Sequence, residues 1–256
     1  RLFPTAAPAE TPPTDPPKAW EEPWKISAII DGDLNENLDA IFAFNHEHEN
    51  PRHGLANIDA VEIKATSVDF IDSTLDTIPE ELFPFFEIPL VTPGKPGGGD
   101  ARGYVACLAG SDAAAKIRTG GVTPDAIPPV EAIADFLAAA AAADVPFKAT
   151  AGLHHPMRAE YPLTYEPNCP RGVMHGFLNV FLGAALARQR RAPKEIIELL
   201  KETSPKALEM GNNGIRWRDV LIPIEDLDET RDMFALSYGS CSFDEPIEDL
   251  RKVGML

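Results

Sequence analysis

Four short stretches of the sequence place charge where a buried strand would ordinarily carry none. Val61-Glu62-Ile63-Lys64, Phe86-Glu87-Ile88, Lys116-Ile117-Arg118-Thr119 and Phe147-Lys148-Ala149-Thr150 each alternate apolar with charged or polar residues. Successive side chains of a strand point to opposite faces, so the alternation gathers Glu62, Lys64, Glu87, Lys116, Arg118, Lys148 and Thr150 on one face. Val61, Ile63, Ile117, Phe147 and Ala149 fall on the other, where helices would cover them. Charge taken out of water without a partner is expensive, so the inward groups must meet one another or a ligand. Two chemistries suit such an interior. Arg118 can fork onto a carboxylate or phosphate while Gly120 and Gly121 offer backbone N–H groups to the same anion. A lysine beside other cations in a desolvated pocket loses pKa and becomes a nucleophile toward carbonyls, with Glu62 or Glu87 deciding whether Lys116 or Lys148 is the depressed one. The competing reading is an internal salt-bridge network that pairs Glu62 and Glu87 with the cations and catalyses nothing.

Histidine supplies the second cluster. His154 and His155 follow Gly152 just beyond the Lys148 stretch, and His175 opens the segment His175-Gly176-Phe177-Leu178-Asn179. Acid–base or substrate-positioning roles are expected for one or two of these imidazoles, with Thr150, His175 and Asn179 counted among the substrate-binding residues. The three histidines could instead ligate zinc or iron, with Cys169 or Glu87 as a further ligand, although the spacing matches no specific metal motif and no cofactor is required. His46, His48 and His53 lie among Glu and Asn and read as solvated surface. The run Ser237-Tyr238-Gly239-Ser240-Cys241-Ser242-Phe243-Asp244-Glu245-Pro246 fits either a phosphate cradle or a capped turn leading into a helix. Cys241 has no basic neighbour in sequence to activate it, though it could acquire one in space.

These residues need strands to carry them. β-prone runs at residues 25–30, 60–65, 85–90, 114–119 and 146–151 alternate with helical ones at 35–46, 71–82, 104–108 and 129–143, the signature of repeated β-α units. Helices are predicted again over 174–189 and 193–201, with a strand over 215–221 and a helix over 229–234. The expected fold is α/β, a complete or partial (β/α) TIM-like barrel with mainly parallel strands. Its interior would hold the site at the strands' carboxyl ends. An antiparallel sheet with one wet face is the alternative that alternation alone permits. Residues 1–23, crowded with Pro, Ala, Thr and Glu, read as an extended arm outside a single domain over 24–256, wrapped on its own barrel or lent to a neighbour in a homo-oligomer.

Bulk composition narrows the partners. The chain has 23 Lys and Arg against 40 Asp and Glu, a net charge of −17, which repels nucleic acid and anionic lipid while leaving room for one cationic pocket. Three cysteines without a C-x-x-C pair indicate neither a disulfide framework nor a structural zinc site, and fit a reducing compartment. No apolar run approaches the roughly 20 residues of a membrane span. The expectation is a cytoplasmic protein acting on a small anionic metabolite, with an organellar address after processing left open.

The ordered motifs Lys116–Gly121 (KIRTGG), Phe147–His155 (FKATAGLHH), His175–Asn179 (HGFLN) and Gly239–Pro246 (GSCSFDEP) resemble those of a bacterial protein family without an assigned activity. More remotely, the two strand-end lysines resemble the deoxyribose-phosphate aldolase type of class I aldolase barrel. That resemblance implies Lys116 as the Schiff-base residue and Lys148 as its activator, with Arg118 and the paired histidines departing from the aldolase pattern. Three functions follow as expectations. The first is a lyase or aldolase acting on a small anionic carbonyl compound, the second a metal-assisted hydrolase or isomerase built on His154, His155 and His175. The third is a ligand-binding or scaffold subunit without catalysis. On the first, Lys116→Met should abolish activity and keep the fold, because Met fills a similar volume.

Overall fold

The computed structural model describes residues 23–90 and 100–256. The arm expected over 1–23 therefore lies, apart from Pro23, outside the described residues. The alternating stretches form β1 (Trp24–Ile29), β2 (Ala56–Lys64), β3 (Phe83–Glu87), β4 (Ala114–Arg118) and β5 (Phe147–Thr150). Between them run α1 (Leu34–His48), α2 (Val68–Leu75), α3 (Ala101–Leu108) and α4 (Val130–Ala143). A hairpin follows, β6 (Ala159–Pro162) with β7 (Arg171–Met174), and then α5 (Phe177–Arg188) and α6 (Pro193–Leu200). The chain continues through the strands β8 (Leu208–Gly211), β9 (Gly214–Trp217) and β10 (Val220–Pro223), then α7 (Ile224–Met233), β11 (Ala235–Tyr238) and α8 (Asp244–Lys252).

The main sheet has the order β1-β2-β3-β4-β5-β11, and every neighbouring pair is parallel. Crossovers of one hand between strands laid down in chain order put the helices on one face, and the sheet curls into a half-barrel. Parallel pairing through Lys116 and Lys148 removes the antiparallel alternative. The barrel is partial: β1 and β11 are the edges of the sheet, and among the described residues no strand closes the gap between them.

Val61, Ile63, Phe86, Ile88, Ala115, Ile117, Phe147 and Ala149 are all buried, against a helix layer that supplies Ile71, Val105, Ile133, Leu137 and Val180. Phe147 sits edge-on between Phe136 and Phe234, with ring centroids 5.4 and 5.2 Å away. This apolar side of the sheet carries most of the stabilisation, because each such ring buries more apolar area than any aliphatic neighbour. α1, α2 and α3 begin where polar side chains can accept their first N–H groups: Asp33 from Glu36, Ser67 from Phe70 and Asp100 from Arg102. The stretch Pro124–Ala143 is long and apolar enough to match a bilayer by length and composition, but Ile133, Phe136, Leu137 and Ala140 are fully buried in the core.

Several predicted boundaries move. The helix expected over 71–82 ends at Leu75, since Pro79 cannot continue it and Phe83 already starts β3. The strand expected over 215–221 is instead a tight hairpin, broken at Arg218, whose φ of 55° is left-handed. β11 and α8 fill the stretch that periodicity left unassigned, and the helix start at Asp244 fits the capped-turn reading of the serine-rich run.

Gly176, just before α5, is required for close approach. A methyl group there would meet the Asn179 side-chain oxygen and the Pro156 carbonyl well inside contact distance. Both are fixed, so Gly176→Ala is expected to lose about 2–3 kcal/mol of stability, seen as a lower urea midpoint. An unchanged midpoint would mean that this turn yields freely.

Candidate functional site

The register of the sheet sets four charged residues in one row. Lys64 pairs laterally with Glu87, Glu87 with Lys116, and Lys116 with Lys148, across β2, β3, β4 and β5. Glu62, one step earlier on β2, reaches into the same row. Its two oxygens take one lysine each: Lys116 Nζ lies 2.8 Å from Oε2 and Lys148 Nζ 2.6 Å from Oε1. Lys116 also lies 2.8 Å from Glu87 Oε2, and Lys148 stands over the Phe85 ring at 4.7 Å from its centroid. Ser27 on β1 donates to Glu62 Oε1 at 3.0 Å. Glu62, Glu87, Lys116 and Lys148, four of the inward-facing charges expected from alternation, are thus brought together, with only 7% of the Lys116 side chain and 11% of the Glu62 side chain exposed.

Burial would lower the Lys116 pKa, but the hydrogen bonds and charges of Glu62 and Glu87 outweigh it and hold the ammonium above the ordinary lysine value. Burial would likewise raise the Glu62 pKa, and the two lysines together pull it below the ordinary carboxylate value. Of the two lysines, one of which was expected to be depressed, Lys116 is therefore not that one. The two lysines do not face each other bare, because a carboxylate stands between them.

At the carboxyl ends of the same strands the arrangement changes. Arg118 and Lys64 are exposed and have no ion-pair or hydrogen-bond partner among the described residues. A cleft of about 190 Å³ is lined by Glu87, Arg118, Gly120 and the apolar Ile88, Leu90 and Pro128. Gly120 packs against Gly152, and a Cβ on Gly120 would stand 3.2 Å from the Gly152 Cα. Gly121 faces the Ala126 side chain. Thr150 donates its hydroxyl to the Ile117 carbonyl at 3.3 Å, which holds β4 and β5 together beside Arg118.

The histidines are distributed differently. His155 Nδ1 meets Asp249 Oδ2 at 2.5 Å, and its ring stacks on Tyr161 with centroids 3.4 Å apart. His154 Nδ1 lies 3.1 Å from Glu245 Oε2 and 3.3 Å from Ser240 Oγ, while Cys241 Sγ is 3.7 Å from each ring nitrogen. Tyr165 donates to the same Glu245 oxygen at 3.0 Å. These groups border a separate pocket of about 130 Å³. No hydrogen bond or ion pair of either ring reaches the lysine row.

His175 is 1% exposed, with Nε2 2.8 Å from the Pro128 carbonyl and Nδ1 unpartnered. Asn179 accepts from Arg158 N at 2.8 Å and donates to the Leu199 and Glu202 carbonyls, so all its polar capacity goes to backbone. Both are placed as parts of the α5 packing. Among the described residues no set of three His, Cys, Asp or Glu side chains is arranged to hold a metal ion, so the trio His154, His155 and His175 is not assembled into one.

Glu245, Asp249 and Tyr165 are the residues that sequence reasoning missed. The only available signal was Asp244-Glu245 ahead of Pro246, which marks a helix start and says nothing of its reach to His154. No protein-family model matches the chain, and no curated protein matches it in sequence.

Proposed function

We propose that the protein is an enzyme acting on a small anionic carbonyl compound, bound at the carboxyl rim of the half-barrel. The observation that carries this reading is the pair Lys64, beside Glu87 across β2 and β3, and Arg118, two residues beyond Lys116 on β4, two cations without an ion-pair partner among the described residues. In a chain of net charge −17, cations without carboxylate partners at strand ends are where an anion is best received. Arg118 grips the carboxylate or phosphate of the substrate. Lys116, held as an ammonium, donates a hydrogen bond to its carbonyl oxygen. Glu87 is more open than Glu62, with 20% of its side chain exposed against 11%. It takes the proton from the carbon beside the carbonyl and returns it, so the chemistry is acid–base at an enolisable carbon.

Arg118→Met tests the binding half. It is expected to weaken binding of the best ligand in a calorimetric panel of small carboxylates and phosphorylated carbonyl compounds by about 10- to 100-fold. Thermal stability should hardly change, since the guanidinium has no partner to lose among the described residues. Equal affinity in parent and variant would rule out Arg118 as the anion receiver.

A Schiff-base aldolase is the second reading, favoured by one observation: Lys116 and Lys148 stand on neighbouring strands with Glu62 bonded to both, ready to accept a proton from either. Borohydride reduction in the presence of pyruvate or glycolaldehyde phosphate separates the two. Acid–base enolisation leaves no adduct, whereas a Schiff base leaves one reduced adduct on a lysine of this pair.

A further inference from the structure

Cys241 leaves the carboxyl end of β11 and His154 that of β5, and because those strands are parallel neighbours the two residues meet across 87 positions of sequence. The order of groups around them is the one nucleophilic catalysis needs. Glu245 and Ser240 both face Nδ1 of His154, at 3.1 and 3.3 Å, which places the ring proton there and leaves the Nε2 lone pair free. Cys241 Sγ is 3.7 Å from Nε2 and equally 3.7 Å from Nδ1, so it lies beside the ring rather than along the Nε2 lone pair, and a turn of the imidazole is needed to aim Nε2 at the sulfur. Tyr165 lies 3.6 Å from the sulfur and anchors Glu245 from the other side. Pro162, Leu163 and Met174 give the pocket, about 130 Å³, apolar walls beside the thiol.

We propose that Cys241 is the nucleophile of an acyl-transfer site, with His154 as its base and Glu245 as the carboxylate that orients the ring. The ligand is an activated acyl compound, a thioester or ester, whose acyl group is a few carbons long. Sγ attacks the acyl carbon, and the thiol proton passes to His154 Nε2. The bond from the acyl carbon to the leaving thiol or alcohol breaks, and His154 gives its proton to that leaving group. Water then attacks the resulting thioester with His154 taking its proton, and Sγ leaves and recovers a proton from His154, releasing the free acid. No oxidant or metal is required. Arg118, Lys64, Lys116 and Glu87 take no part, so this site and the anion site stand or fall separately.

The test uses the full chain with p-nitrophenyl acetate and p-nitrophenyl butyrate, read as release of nitrophenolate and by peptide mass mapping of the acylated protein. One acyl group on Cys241 is expected, absent in Cys241→Ser, with acylation about 100-fold slower in His154→Gln. Cys107 is the internal reference, since burial and its contact with Asp72 push its thiol up to about 11. Acyl groups spread equally over Cys107, Cys169 and Cys241, or a His154→Gln rate equal to the parent, would each overturn the proposal.

Discussion

Lys116→Met is expected to lose about 3–5 kcal/mol of folding stability at neutral pH, despite the near match in volume. The volume argument predicts tolerance, but the ion pairs decide otherwise. Among the described residues Lys116 is the only side chain bonded to both Glu62 and Glu87, and its removal leaves Glu87 without an ion-pair partner there while Glu62 keeps Lys148 and the Ser27 hydroxyl. The pH dependence follows from the two shifts. Glu62 titrates below its ordinary 4.5 in the folded protein, so its contribution is present above that value and lost as pH falls through the folded one. Lys116 titrates above its ordinary 10.5, so its contribution is present below that value and lost as pH rises through the folded one. The gap between parent and variant in urea denaturation should therefore be widest between about pH 5 and pH 10. Adding Glu87→Gln to Lys116→Met should recover part of the loss, because the orphaned charge is then gone. A variant as stable as the parent at pH 7 would show that the network holds nothing together.

His175→Gln is expected to remove a large part of the protein's sensitivity to acid. Burial, aided by the charge of Arg158 and opposed by the hydrogen bond to the Pro128 carbonyl, lowers the His175 pKa from 6.5 to about 4. Between those values the unfolded chain binds a proton at this residue that the folded one does not, so stability falls as pH falls. A shift of this size corresponds to about 2–3 kcal/mol by pH 4.5. Glutamine can still donate to the Pro128 carbonyl and takes up no proton, so the drop in urea-unfolding free energy from pH 7 to pH 4.5 should be smaller in the variant by that amount. Glu62 and Asp249, whose carboxyl groups are held low by their partners, add acid sensitivity of their own. Their share is common to both proteins and cancels in the comparison. Equal drops in the two would place His175 in a solvated setting.

The charged row was legible before any fold was known, because a strand's two-residue period sorts Glu62, Lys64, Glu87, Lys116, Arg118 and Lys148 onto one face whatever the strand pairs with. The alternation of β-prone and helical runs was enough to call for a parallel sheet with helices on its apolar side, and Val61, Phe86, Ile117 and Phe147 lie there.

Tertiary structure alone decided which charges neutralise which. Whether Lys116 faces Lys148 bare or shares Glu62 with it depends on the relative stagger of β2 and β4, and stagger is set by packing across the sheet rather than by either strand's own residues. That stagger gives Lys116 two carboxylates in place of a bare neighbouring ammonium. The same holds for the histidines. His154 and His155 are adjacent in sequence, yet one turns to Glu245 and the other to Asp249 because α8 returns across the end of β5. His175 is drawn into the core by α5. Cys241 gained its imidazole only because β11 docks beside β5. Periodicity reports which face a side chain points to, since that is a property of one element; partners across elements are fixed by long-range packing, to which a local pattern carries no signal.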